Sequence, residues 1–183
     1  MASANGGGTF TFLESMQSHQ TNSSAKNAAT ITSIKITLSS NTSSASTDIK
    51  FLPNATSGLD VGLDAGAIFE DNTPLQLYSQ LVENTSGQNF ALQCLQDGNF
   101  DYVIPLTFAA KINDIISITA IKEAMPENVQ LYLEDKTTHN FINLSEKNYQ
   151  FTNSIDGKQT GKLYLHISQK ALSNLDHHLE STI

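Results

Sequence analysis

The chain of 183 residues is long enough for one domain with a real core, or for one domain plus an arm. It carries a net charge of −8, with ten lysines and no arginine, and arginine is the usual bidentate partner of phosphate and guanine. That balance argues against nucleic acid and anionic lipid as partners, the single cysteine excludes an intrachain disulfide and a cysteine-built zinc site, and no segment reaches the roughly 20 apolar residues of a membrane span.

In chain order, "TFTFLES" near the start predicts a first strand, followed by the Ser/Asn-rich stretch "SHQTNSSAKNAAT" at 18–30. That stretch buries too little apolar area to offset ordering, and the same holds for "SSNTSSASTD" at 39–48. Both are expected as loops or partly mobile segments. Between them Ile34, Ile36 and Leu38 alternate on one face of a half-buried strand. Ile49 and Phe51 continue in "TDIKFLP", which Pro53 stops.

The same pattern recurs beyond Pro74. Leu75 and Leu77 precede Phe90, Leu92 and Cys94 of "NFALQCLQ". Cys94 reads there as a small buried hydrophobe. Tyr102, Ile104, Leu106 and Phe108 alternate in the next strand, where Pro105 on the opposite phase implies an edge strand or a bulge. Ile116, Ile118 and Ala120 follow, then Val129, Leu131 and Leu133, with Gln130, Tyr132 and Glu134 facing out. Phe141, Tyr149 and Phe151 come next, and Leu163, Leu165 and Ile167 close the series.

The links carry turn chemistry, as in "QDGNFD", "MPEN" and "SIDGKQTG". About ten short alternating strands with almost no helical periodicity predict an all-β fold, an antiparallel β-sandwich of jelly-roll type. Three regions are expected: 1–30 as an N-terminal strand and flexible segment, 31–168 as the sandwich, and 169–183 as a linker. No charged and apolar leader opens the chain, so an exported parent is expected to carry its signal elsewhere.

"FLPNATSGLDVGLDAGAIFEDNTPLQLYSQL", "FALQCL", "VIPLTFAA", "VQLYLEDKTTHNFINLSEKNYQFT" and "GKLYLHIS" occur in that order. Together they resemble a module of secreted Bacteroidota proteins that commonly lies just before a type IX secretion sorting domain. The resemblance covers residues 34–168 and rests on shared order and spacing. The closing "ALSNLDHHLESTI" is similar to the linker and opening of such a sorting domain. An aromatic pair usual upstream in that family is missing from "SMQSHQT", so no role is carried over there. The resemblance implies a jelly-roll-like sandwich, a secreted or outer-surface address, and the type IX export machinery as a partner through a neighbouring domain. It implies no enzyme class.

The residues weigh the same way. Asp97, Asp101, Asp114, Glu127, Asp135 and Asp156 sit beside turn residues, and no nucleophile elbow, zinc-protease helix or phosphate loop is present. His139 lies in a loop. A non-catalytic module is expected. Tyr132 and Gln130 share an outward face, as do Tyr164 and His166; if those strands are neighbours, they make a polar-aromatic patch suited to a polysaccharide or cell-surface glycan. A plain solvent-facing sheet is the competing reading. Asp60, Asp64 and Asp71 in "GLDVGLDAGAIFEDN" are candidate calcium ligands; alternatively, Asp60 and Asp64 accept loop amides. Adhesion or glycan binding leads, with a spacer presenting the sorting signal, or an accessory domain of a secreted hydrolase, as alternatives.

Overall fold

The computed structural model describes residues 30–70, 73–83 and 87–169. The expected strand at "TFTFLES", the segment 18–29, Asp71 and residues 170–183 lie outside the described residues. Eleven strands and no helix occur among the described residues, so no helix there is long and apolar enough to cross a membrane. The strands are β1 (Ser33–Ser39), β2 (Ser44–Leu52), β3 (Ala65–Ala67), β4 (Gln76–Ser79), β5 (Asn89–Gln96) and β6 (Tyr102–Ala110). β7 (Ile115–Glu123), β8 (Gln130–Asp135), β9 (Asn140–Asn143), β10 (Tyr149–Thr152) and β11 (Gly157–Ser168) complete the set.

They form one sheet in the order β10-β7-β1-β2-β5-β4-β6-β11-β8-β9, with β3 beside β5. All neighbours run antiparallel except β2 and β5, which pair in parallel from Asp48↔Leu92 to Leu52↔Gln96. The expectation of a wholly antiparallel sheet is therefore corrected: the sheet is mixed. The physical reason is the long 53–88 connection, which carries β3 and β4 and returns the chain beside β2 in the same direction.

The sheet curls so that β10 packs across the core against β6 and β8, giving a nearly closed, barrel-like form. Phe151 on β10 packs edge-on against Phe108 on β6, with centroids 5.9 Å apart. Asn153, just past β10, donates to the carbonyls of Ala110 at 3.1 Å and Lys111 at 3.0 Å, and its Oδ1 accepts from Gln159 Nε2 at 2.7 Å. Tyr149 on β10 donates its hydroxyl to Asp135 Oδ2 on β8 at 2.8 Å. The enclosed core draws on every strand but β3, with Ile36, Leu106, Phe108, Ile118, Leu133 and Leu165 fully buried.

Three local expectations change. Ser44–Asp48, expected as loop, is the first half of β2, paired from Ser39↔Ser44 to Lys35↔Asp48 with β1. Backbone pairing, not apolar side chains, orders it, and Thr47 Oγ1 anchors it to Phe90 O at 3.0 Å. Pro105 lies in an interior strand, between β4 and β11. Its carbonyl accepts from Gln80 N at 2.9 Å, so its missing N–H also points to the β4 side, where β4 has already ended at Ser79. In β5 the core phase shifts: Gln93 and Leu95 register with Ile49 and Phe51, while Phe90 and Cys94 are buried outside the main cluster.

Candidate functional site

Alternation in β8 sends Leu131, Leu133 and Asp135 inward and Gln130, Tyr132 and Glu134 outward. In β11 Leu163, Leu165 and Ile167 are buried, leaving Tyr164 and His166 on the outer face. The two strands are hydrogen-bonded neighbours, with Tyr132 opposite His166 and Glu134 opposite Tyr164. Gln130, the remaining candidate, lies opposite Ser168. The flanking strands widen the face. β6 sets Val103 beside His166 and Pro105 beside Tyr164; β9 sets Asn143 beside Tyr132 and Phe141 beside Glu134. Two rows result: Val103–His166–Tyr132–Asn143, and Pro105–Tyr164–Glu134–Phe141.

A charged network fixes the polar groups of this face. Glu134 takes His166 Nε2 at 2.8 Å on one oxygen and Lys136 Nζ at 2.5 Å on the other. Burial opposes ionisation of Glu134, but hydrogen bonds from Lys136 and His166, and their charges, outweigh it and hold the carboxyl below its usual range. The Lys136 ammonium also lies 5.4 Å from the Tyr164 ring centroid. Phe141 and His166 rings meet at 4.8 Å, and Phe141 keeps 40% of its surface exposed. Asn143 Nδ2 donates to Glu146 Oε1 at 2.9 Å and weakly to Gln130 Oε1 at 3.5 Å.

The depressed Glu134 carboxyl carries a pH signature. A carboxyl held lower in the folded chain stabilises it fully above the ordinary glutamate range, and that stability is lost as pH falls through the folded value. The parent chain is expected to exceed Glu134→Gln in denaturant midpoint at pH 7. The gap should close as pH is lowered below the glutamate range; a gap independent of pH would contradict the network.

Sequence reasoning missed Phe141, expected in the core. The core residue of β9 is Ile142, in register with Leu133. A four-residue strand with two adjacent apolar residues does not fix its own phase. Lys136 was also missed, because it lies in the turn after β8 and reaches back along the face.

Asp60 and Asp64 lie on the connection between β2 and β3, where backbone and hydroxyl donors occupy all four carboxylate oxygens. Asp60 accepts from Thr56 N at 2.6 Å and Thr56 Oγ1 at 3.0 Å. Asp64 accepts from Asp60 N and from Cys94 N, both at 2.7 Å. The Asp60 carbonyl in turn receives Leu63 N and Asp64 N. This is a self-capped loop tied to β5. Among the described residues no group of three or more His, Cys, Asp or Glu side chains is arranged to hold a metal, and the third calcium candidate, Asp71, lies outside them. Cys94 is buried, its Sγ 3.3 Å from Leu63 O. Burial pushes its thiol up and the charge of Asp64 adds to this, so the reactive thiolate is disfavoured.

A further concavity, an open cleft of about 650 Å³, lies between the start of β4, the end of β6 and the start of β11. It uses the opposite ends of β6 and β11 from the aromatic face.

No curated protein and no solved structure matches the chain. The model of one family, described as a domain of unknown function (DUF8693), matches residues 1–166. With that match spanning most of its length, the chain belongs to the DUF8693 family.

Proposed function

We propose that the chain is a non-catalytic module of an exported, cell-surface or extracellular protein, and that it contacts glycans in adhesion. The observation that carries this reading is the four-strand outer face with Tyr132, Tyr164, His166 and Phe141 around the Glu134–Lys136 pair. Aromatic side chains offer apolar faces to sugar C–H groups, while Gln130 and Asn143 offer hydrogen-bonding groups to hydroxyls. The polysaccharide would lie across β6, β11, β8 and β9. The full occupation of Asp60 and Asp64, and the raised Cys94 thiol, support a role without catalysis.

The finer architecture is read as a jelly-roll-like sandwich. One layer runs from β10 to β5 and the other from β4 to β9, and residues of both contribute to one core. The second functional reading, a spacer presenting a type IX sorting signal to the export machinery, draws support from the likeness of residues 171–183 to the opening of a sorting domain.

Glycan arrays and pull-downs on insoluble polysaccharides separate the two. The glycan reading expects a specific hit that Tyr132→Ala and Tyr164→Ala each weaken at least tenfold. A blank array with intact folding favours the spacer, and a hit indifferent to both substitutions removes this face from the account.

A further inference from the structure

We infer that the cleft at the other end of β6 and β11 is a second binding site, for a carboxylated sugar. Its volume of about 650 Å³ falls in the range of small-molecule sites. Its lining combines the apolar surfaces of Phe69, Pro74 and Ile112 with the ammonium groups of Lys111 and Lys158 and one carboxylate, Asp156. A chain with 18 acidic residues and ten lysines thus turns two cations against one anion into a single concavity. Among the described residues neither lysine has a carboxylate partner within ion-pair distance. Asp156 is engaged with the backbone of the same rim, its Oδ1 accepting from Ile112 N at 3.3 Å.

Lys158 is parked on an aromatic ring, its ammonium 5.1 Å from the Phe69 centroid. Tyr78 meets that ring edge-on, with centroids 6.3 Å apart. A cation–π contact at an exposed site is weaker than a hydrogen bond between two charged groups. An arriving carboxylate therefore draws Lys158 off Phe69, with Lys111 as the second cation, and the uncovered ring receives the C–H face of the sugar. Neutral sugars gain no such exchange. This site shares no residue with the aromatic face, so either can fail alone.

The test is calorimetric titration of the full chain with trigalacturonate and with its methyl ester, which keeps the rings and removes the charge. Saturable binding of the acid is expected, with the ester at least tenfold weaker. The Lys111→Ala/Lys158→Ala double variant should lose at least tenfold for the acid, and Lys35→Ala, an exposed lysine on β1, should bind as the parent does. Equal binding of acid and ester, no saturable binding of the acid, or full affinity in the double variant would overturn the inference.

Discussion

Tyr149→Phe is expected to lower unfolding free energy by about 1–3 kcal/mol, although it removes a single oxygen. That oxygen donates to Asp135, a fully buried carboxylate on β8, from β10 at the far end of the sheet order. Without it Asp135 keeps only the amides of Thr137 and Thr138, at 2.8 and 3.3 Å on the other oxygen, and Oδ2 is left buried with no other donor among the described residues. Asp135→Ala should cost more, about 3 kcal/mol or above, because it removes the buried acceptor of the Tyr149 hydroxyl and also frees the turn after β8. Burial pushes the Tyr149 hydroxyl up, and the neighbouring Asp135 adds to this, so it stays a protonated donor through neutral pH. Chemical denaturation of the parent, both single variants and the double variant measures the coupling. Costs that add independently would mean that this bond does not couple β10 to β8 energetically.

Asp64→Ala is expected to cost about 2–3 kcal/mol, since two charge-assisted bonds to amides are lost from a part-buried site. At about 2–4 °C per kcal/mol for a chain of this size, melting should fall by roughly 4–12 °C. One lost bond tethers the loop to Cys94 on β5, the other closes it on Asp60. The drop should be the same in excess calcium and in chelator, because the carboxylate oxygens already serve N–H donors. A parent chain that melts several degrees higher in calcium would instead return Asp60, Asp64 and Asp71 to the role of ligands.

Much of the fold was legible because alternation in β1, β8 and β11 is unambiguous. Ile34, Ile36 and Leu38, and likewise Leu163, Leu165 and Ile167, can face a core in only one phase. The pairing of β8 with β11 was not legible, since strand order depends on long-range packing that no local pattern records. Nor was the parallel contact of β2 with β5. In β5 the run "FALQCLQ" gave the wrong phase because Phe90 and Cys94 are buried outside the main cluster while Leu95 faces it. Gln93 shares the core phase of Leu95, and among the described residues neither its Nε2 nor its Oε1 has a hydrogen-bond partner, a placement that polarity argues against. Of the candidate face, Tyr132, Tyr164, Gln130 and His166 were readable from phase alone. Phe141 and Lys136 needed the register of β9 and the path of a turn.

The most direct measurement is amide chemical-shift mapping of the chain titrated with a glycan selected on the array. The account predicts saturable shifts centred on Tyr132, Phe141, Tyr164 and His166, fading toward β1 and β2. Shifts centred on the outward residues of β1 and β2, such as Lys35 and Lys50, would contradict it.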